Sequence, residues 1–217
     1  MRPDGGQSRF PLFALARHRL ATDGQGVTTL AAAYGCPLRC RYCLNPQSWR
    51  DGMTVKQVTA RELYDLVKVD DLYFQATDGG VTFGGGEPLL NAPFIREFRG
   101  LCGDRWRLRA ETCLNISDAL LQEAMACVDE FIVDVKDMNP AAYLRYTGAG
   151  NSAVYRNLTA LVKRLGPARV LARVPLIPGF NTPEDIDASL ARLRELGVTR
   201  FDTFTYRTPA EQALAEE

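Results

Sequence analysis

The 217-residue sequence is poor in histidine, carries no excess of charge and has no long apolar run. Its 26 basic and 26 acidic residues cancel, so no net field favours nucleic acid or an anionic membrane as a partner. No apolar run is long enough to predict a membrane helix, and the first residues lack the charged-then-apolar pattern of a signal peptide. We therefore expect a cytosolic protein whose thiols stay reduced.

Length and composition predict one domain. With 46% apolar residues, a chain of 217 residues can bury a core of ordinary size. Residues 1–22 are predicted to form an N-terminal extension packed on a core domain that covers residues 23–217.

Three cysteines are concentrated in one short loop. Residues 36–46 read C-P-L-R-C-R-Y-C-L-N-P, which spaces the cysteines C-x₃-C-x₂-C. A [4Fe–4S] cluster normally takes four thiolates, so three would leave one iron with an open position where chemistry can occur. A zinc site would need a fourth ligand, and the single histidine, His18, lies in a stretch without the usual zinc-site spacing. A disulfide would leave an odd sulfur in the same loop.

The other three cysteines stand alone in periodic segments. Cys102 and Cys127 are predicted to be buried packing residues. Cys113 follows a predicted strand and is the candidate fourth cluster ligand if the protein only transfers electrons or acts as a sensor.

The remaining pattern alternates between strands and helices. The first twenty or so residues are interpreted as irregular chain, anchored by Phe10, Leu12, Phe13 and Leu15. Apolar and β-branched runs predict strands over 27–34, from 81 into the glycines at 84–86, and over 106–111, 131–135, 169–175 and 200–206. Helical spacing predicts helices over 54–68, with Thr54 as candidate N-cap, and over 92–102, 117–128, 153–165 and 183–196.

Six strands separated by helices are typical of right-handed βαβ units and a parallel sheet. Because six units fall short of the eight in a closed β/α barrel, we predict an open, curved partial (β/α)₆ barrel, with a doubly wound sheet as the alternative. Ligands gather at the carboxyl ends of the strands in such sheets. The cysteine loop leaves the first predicted strand at that end, and the glycines end the second.

Two local patterns have both a functional and a structural interpretation. Gly84, Gly85 and Gly86 would let the backbone approach a ligand, although a glycine-rich turn alone is weak support for a ligand site. Asp134 and Lys136 alternate with valines and so project to one face of their strand. They could bind a polar ligand or form an ion pair with each other.

Four sequence blocks resemble the radical S-adenosylmethionine (SAM) superfamily, and within it the activating enzymes of glycyl radical enzymes, of the pyruvate formate-lyase activating type. The blocks are D-G-x-G-x-x-T from Asp23, G-C-P-L-R-C-R-Y-C-L-N-P from Gly35, G-G-V-T-F-x-G-G-E-P-L from Gly79 and D-V-K from Asp134. They occur in the family's order. No further cysteine lies between the second and third blocks, so the chain resembles the compact members with a single cluster.

This resemblance implies a set of cofactor contacts. Cys36, Cys40 and Cys43 would hold three irons of the [4Fe–4S] cluster, and SAM would chelate the fourth through its amino and carboxylate groups. A monovalent cation near Asp134 is also implied. The residues implied at SAM are Tyr42 near the adenine, Leu44 after the third cysteine, Gly84, Gly85, Gly86 and Glu87 at the methionine amino group, Thr112, Asp134 and Lys136, Arg173, and Arg207.

The resemblance also implies a reaction and its partners. A reduced cluster would give one electron to SAM, and the resulting 5′-deoxyadenosyl radical would remove a hydrogen from a glycine Cα of a glycyl radical enzyme. A flavodoxin or ferredoxin would supply the electron, and the enzyme would be a monomer. The alternatives are another radical SAM enzyme that modifies a peptide or small molecule, a non-catalytic [4Fe–4S] protein, and a structural zinc protein.

The sequence departs from the family pattern at several positions. Leu44 stands where a histidine is usual, Gly84 where a serine is usual, and Arg207 where the family has the histidine of a Tyr-His pair. The family's last helix would follow Pro209, so we expect a barrel that is shortened at its C-terminal end and less covered on one flank.

Overall fold

The computed structural model describes residues 7–20 and 22–206, which form eight strands and seven α-helices. The strands are β1 (Arg9–Arg19), β2 (Thr28–Ala33), β3 (Lys56–Thr59), β4 (Gly80–Gly85), β5 (Arg107–Thr112), β6 (Glu130–Asp134), β7 (Val170–Leu176) and β8 (Arg200–Thr205). The helices are α1 (Ala60–Val67), α2 (Asp71–Thr77), α3 (Ala92–Cys102), α4 (Asp118–Met125), α5 (Pro140–Thr147), α6 (Ser152–Leu165) and α7 (Pro183–Glu195).

All eight described strands belong to one sheet, in the order β3-β1-β2-β4-β5-β6-β7-β8. The six strands from β2 to β8 in that order pair in parallel. β1 and β3 are antiparallel additions at one edge. The two ends of this sheet do not pair with each other in the described residues, so the predicted open (β/α)₆ partial barrel is confirmed.

The N-terminal residues differ from the expectation of irregular chain. Residues 9–19 form β1, which pairs with β2 on one side and β3 on the other. Phe10 is fully buried and Leu12 nearly so, while Phe13 and Leu15 are half-buried. Pro11 and the register shifts between β1 and β2 interrupt the alternation of apolar and polar residues in β1. The formation of this strand therefore depends on pairing with its two neighbours.

The helix predicted over 54–68 was wrong in its first part. Residues 56–59 form β3, and α1 begins only at Ala60. Thr59 rather than Thr54 is the N-cap, because the Thr59 hydroxyl accepts from the Glu62 N–H while the Glu62 carboxylate accepts from the Thr59 N–H.

Two helices were not predicted at all. α2 lies between α1 and β4, and α5 lies between β6 and α6. α5 has its own sequence signals: Asn139 caps it, Pro140 is its first residue, and Gly148 ends it in the left-handed conformation. These signals are separated by only eight residues, too few to show a helical period in the sequence.

The core lies between the sheet and the helices on its outer face. Phe83, Phe94, Phe98 and Trp106 pack there with Phe10. The predicted packing role of Cys102 and Cys127 is confirmed, since both are buried in this core. None of the helices in the described residues is long and apolar enough to span a membrane.

Strand alternation places a different set of residues on the inner face. Phe83, Ala110, Val133 and Ala172 point into the core, and Glu111, Asp134 and Arg173, each one position after a core residue, line the opposite face. This inner face encloses a cavity of about 780 Å³.

Candidate active site

The three loop cysteines line the inner cavity. The cysteine loop follows β2, and Cys36, Cys40 and Cys43 are all half-buried with free thiols. Burial raises the pKa of Cys40 to about 11. An iron or other cation is needed to keep such a buried sulfur as a thiolate at neutral pH.

Backbone hydrogen bonds hold the loop in place. The Gly35 N–H donates to the Ser48 carbonyl (2.6 Å), which closes the loop at its base. The Arg39 N–H donates to the Thr147 carbonyl (3.0 Å), and the Arg41 N–H donates to the Tyr146 carbonyl (3.1 Å). The loop is therefore fastened to the C-terminal end of α5, a helix that sequence reasoning missed.

The glycine segment forms the neighbouring wall of the cavity. Gly85 has φ +89°, which favours glycine, and a Cβ on Gly86 would lie 2.2 Å from the Gly35 carbonyl oxygen. Both residues line the cavity. The absence of side chains lets this strand end pass directly beside the base of the cysteine loop.

Gly84 and Glu87 lie outside the cavity lining. Glu87 is fully buried, and burial raises the pKa of its carboxyl. Its carboxylate accepts hydrogen bonds from the Thr112 hydroxyl (2.7 Å) and the N–H groups of Leu89 (3.1 Å) and Cys113 (2.8 Å). These hydrogen bonds of Glu87 join the ends of β4 and β5. Thr112, one of the donors, also lines the cavity.

Asp134 and Lys136 form the opposite wall and pair with each other. Lys136 Nζ lies 3.0 Å from Asp134 Oδ2, as in the structural interpretation of this pattern. Burial alone would lower the pKa of Lys136, but the Asp134 carboxylate holds it well above its usual value. Both side chains also line the cavity, so the pair is placed to face a ligand.

Arg173 is engaged by residues that were not predicted at the site. Its guanidinium lies 2.8 Å from Glu111 Oε1 and 3.5 Å from Asp202 Oδ2, and it donates to the Thr22 carbonyl. Burial raises the pKa of Glu111 to about 7, against the opposing effect of Arg173. The period-two position of Glu111 before Cys113 was the available sequence signal for this residue.

The segment after β1 closes the bottom of the cavity. Asp23 is buried, pairs with Arg19, and accepts a hydrogen bond from the Thr82 hydroxyl (2.9 Å) through its backbone carbonyl. Gly24 lies against Arg109, where a Cβ would be 2.4 Å from the side chain. The D-G-x-G block therefore forms the floor beneath the inner strand residues.

The remaining predicted positions fall as follows. Tyr42 and Leu44 line the cavity, Leu44 being 59% exposed. Tyr42 packs its ring edge-on against Phe180, and its carbonyl accepts from the Tyr146 hydroxyl (2.8 Å).

Arg207 lies outside the described residues. His18, the only possible histidine ligand, instead lies 2.9 Å from buried Asp70 and does not line the cavity.

Cys113 adds a fourth thiol to the same cavity. It contacts the Cys36 sulfur, which lowers the pKa of Cys36 and, together with burial, raises the pKa of Cys113 well above its usual range. Sequence reasoning named Cys113 only as a candidate ligand in the electron-transfer alternative.

The residues present fit an iron–sulfur cluster with SAM. Three thiols on one loop supply the soft ligands that iron–sulfur clusters take. Beside them lie an open glycine backbone, a buried cation and several carboxylates, which match the charged amino acid and ribose groups of SAM. The cavity volume is within the range of sites for ligands of this size. Fold and site together define an α/β partial barrel with a cysteine-lined cavity at the carboxyl ends of its strands.

Comparison with known proteins identifies the family. The family model described as the Radical SAM superfamily matches residues 31–193. The chain is 30% identical over 173 residues to the pyruvate formate-lyase-activating enzyme of Staphylococcus aureus, covering 75% of this chain and 67% of that protein. The chain belongs to the radical SAM superfamily and is an enzyme of its activating-enzyme branch, a family that implies a [4Fe–4S] cluster and SAM.

Two further similarities agree with this assignment. The isethionate sulfite-lyase activating enzyme of Nitratidesulfovibrio vulgaris is 28% identical over 242 aligned positions, covering 82% of this chain and 78% of that protein. Because that alignment is longer than the 217-residue chain, the relative has inserted segments that this chain lacks. A solved domain of pyruvate-formate lyase-activating enzyme from Bacteroides vulgatus is 26% identical, with a TM-score of 0.53, over 64% of this chain and 89% of that domain.

Proposed function

We propose that this protein activates a glycyl radical enzyme by SAM-dependent hydrogen abstraction from a glycine Cα. The observation that carries the proposal is that Cys36, Cys40 and Cys43 share one cavity with Gly85, Gly86 and the Asp134–Lys136 pair. The activating enzymes among its relatives support the same class of reaction.

The chain's residues divide the task of holding the cofactors. Cys36, Cys40 and Cys43 would hold the [4Fe–4S] cluster through three thiolates, and SAM would bind beside it. When bound, the cofactors supply the chemistry: one electron breaks the S–C5′ bond of SAM, giving methionine and a 5′-deoxyadenosyl radical that takes the glycine hydrogen. The protein positions SAM and keeps water and other hydrogen donors away.

The remaining polar groups of the cavity bind and orient SAM. Lys136 and Asp134 face its methionine and ribose groups, with a monovalent cation near Asp134. Arg173, held by Glu111, adds a buried cation on the next strand. Tyr42 and Leu44 contact SAM from the loop, Tyr42 near the adenine. Gly84, Glu87 and Thr112 support the wall, and Arg207 is proposed as a further contact.

The first experiment is anaerobic reconstitution with iron and sulfide, followed by dithionite and SAM. We expect about four irons per chain and release of 5′-deoxyadenosine without any protein partner. Adding the correct glycyl radical enzyme should then give a glycyl signal by electron paramagnetic resonance. Reconstituted protein that binds iron but leaves SAM intact would contradict the proposal.

Single cysteine variants test the ligand assignment. Cys36→Ala, Cys40→Ala and Cys43→Ala should each lose the cluster, whereas Cys102→Ala, which removes a core thiol outside the cavity, should keep it. Cys113→Ala separates the enzyme from the electron-transfer alternative, because its thiol reaches the same cavity. Cluster loss in Cys113→Ala would favour a fully thiolate-bound cluster and a non-catalytic protein.

The partner and setting are part of the same proposal. The enzyme would act as a monomer in the cytosol and take its electron from a flavodoxin or ferredoxin. Assays of candidate glycyl radical enzymes, one at a time with the same reduced protein, identify the substrate.

A further inference from the structure

Acidic residues are absent from two long segments of the chain. Residues 24–50 and residues 138–183 contain no aspartate or glutamate, although the chain as a whole has equal numbers of acidic and basic residues. The first segment contains the cysteine loop, and the second contains α5 and α6. Positive charge in these segments therefore lacks neighbours of opposite sign along the sequence.

The fold brings the two acid-free segments together at the cysteine loop. The N–H groups of Arg39 and Arg41 donate to the carbonyls of Thr147 and Tyr146 at the end of α5. The Tyr146 hydroxyl donates to the Tyr42 carbonyl at 2.8 Å. The loop and α5 thus form one continuous surface.

Four exposed arginines belong to the cysteine loop, to the segment that closes it and to α5, and we call them the arginine face: Arg39, Arg41, Arg50 and Arg145. None of the four forms an ion pair with a residue in the described part of the chain. The nearest carboxylate in sequence is Asp51, at the edge beside Arg50.

The arginine face is ordered by contacts with its own backbone and with an aromatic ring. Arg39 donates to the carbonyls of Cys36 (2.7 Å) and Leu38 (2.8 Å), and Arg145 donates to the Phe180 carbonyl (3.3 Å). Arg39 and Arg50 lie over the Trp49 ring, at 5.0 and 5.5 Å from its centroid. Leu144, next to Arg145 in α5, is 54% exposed. Arginines and aromatic rings such as Trp49 are enriched in surfaces that bind another protein.

We propose that the arginine face docks an acidic electron-transfer protein that reduces the cluster. The inference rests on the proposed function, because a cluster held by Cys36, Cys40 and Cys43 must receive an electron from outside. Arg39 hydrogen-bonds the carbonyl of Cys36, so a donor seated on this face lies directly against the cluster loop. In the step itself the donor is oxidised by one electron and the cluster is reduced by that electron, with no change of bonds.

The position of the arginine face favours the electron donor over the glycyl radical enzyme as its occupant. None of the four arginines lines the cavity. A protein substrate has to bring its glycine to SAM inside that cavity, whereas an electron donor needs only to approach the cluster from the outer side of the loop. Acidic groups on the donor complement the unpaired arginines.

The test compares charge-reversal variants with a matched control. Arg41→Glu/Arg145→Glu reverses two charges on the arginine face. Arg156→Glu/Lys163→Glu makes the same change in net charge on two exposed residues of α6. Iron content and 5′-deoxyadenosine formation with dithionite are measured first for every protein, because these report on the proposed function and not on docking.

Two readouts then address docking, with a reduced acidic flavodoxin as the probe. Stopped-flow absorbance gives the second-order rate constant of cluster reduction, and titration of oxidised flavodoxin into the reconstituted protein with its cluster oxidised gives its affinity. At low ionic strength the arginine-face variant should lose about tenfold or more in both quantities, and the loss should shrink as salt is added. The α6 control should behave like the wild type.

Two results would overturn the proposal that the arginine face docks the electron donor. If both double variants lose flavodoxin reduction equally, only net charge matters and the arginine face is not the docking site. If flavodoxin binding is unchanged but binding of the glycyl radical enzyme weakens, the face belongs to the protein substrate. Should Arg41→Glu fail to retain iron, Arg50→Glu/Arg145→Glu makes the same test without altering the residues between the cysteines.

Discussion

Gly84 lies directly beside Glu111, which lines the cavity. A Cβ on Gly84 would lie 3.0 Å from Glu111 Oε2 and 2.9 Å from Leu30 Cδ1. The Glu111 carboxylate extends across this space to Arg173, 2.8 Å away. The missing side chain at position 84 therefore leaves the room in which Glu111 reaches Arg173.

This contact predicts a coupled response to mutation. Gly84→Ala should displace the Glu111 carboxylate and cost about 1–2 kcal/mol in unfolding free energy. In the shorter Glu111→Asp background the same change should cost less, by about 0.5 kcal/mol or more. Chemical denaturation of the four proteins gives the coupling. Gly100→Ala, in α3 with no atom near the added Cβ, should be neutral or slightly stabilising. Strictly additive effects of the two changes would contradict the shared space.

Glu111 also predicts a pH dependence of stability. Because burial raises its pKa to about 7 in the folded protein, the folded state binds the proton more tightly than the unfolded state does. This residue's contribution is therefore most favourable below its unfolded pKa and is lost as the pH rises through about 7. Glu111→Gln should reduce the fall in unfolding free energy between about pH 5 and 8, by at most about 3 kcal/mol. Chemical denaturation of both proteins across this pH range measures the difference. Unfolding free energies that change in parallel with pH would refute the role of Glu111.

At the scale of elements, α5 is the support of the cysteine loop. It accepts two backbone hydrogen bonds from the loop, and its Tyr146 hydroxyl donates to the Tyr42 carbonyl. The segment between Cys36 and Cys43 has no regular secondary structure of its own. The positions of its sulfurs thus depend on a helix that lies about a hundred residues further along the chain.

Removing the Tyr146 hydroxyl tests this support. Tyr146→Phe leaves the Tyr42 carbonyl without its donor, at a cost of about 1–3 kcal/mol in a partly buried place. We expect normal folding but faster loss of iron to a chelator under anaerobic conditions. Tyr155→Phe on α6 is the control, with unchanged iron release. Equal release rates in all three proteins would show that the Tyr146 hydroxyl does not support the loop.

At the scale of the molecule, the cluster would tie distant parts of the sheet together. The cysteine loop follows β2 and is hydrogen-bonded to the end of α5, and Cys113 at the end of β5 lines the same cavity. The sheet is open in the described residues, with β3 and β8 at its edges. A group that binds only the folded chain stabilises it by mass action.

Cluster removal should therefore lower the thermal stability of the whole protein. We expect chelation to reduce Tm by about 5 °C or more in the wild type and in Cys102→Ala. Cys36→Ala, which lacks a ligand, should show a lower Tm that chelator does not change further. Anaerobic differential scanning calorimetry measures these values. An unchanged Tm on removing iron from the wild type would mean that the site is not formed by the folded chain.

Most of the parallel sheet was predictable from sequence because each unit is encoded locally. α3 has the predicted bounds, and the six parallel strands lie within a few residues of theirs. β1 and β3 were missed because their pairing joins residues 9–12 to 56–59, a contact that short-range periodicity does not contain. α5 was missed because its caps are separated by too few residues to establish a helical period.

Residue type and spacing alone determined the three-cysteine loop, the glycine segment and the alternation of strands and helices, since these depend on near neighbours in the chain. The tertiary structure decided which groups face the cavity. It turned Glu87 toward Thr112, placed Glu111 between Gly84 and Arg173, and set α5 against the cysteine loop. These contacts join residues far apart in sequence, so their geometry exists only once the sheet has assembled.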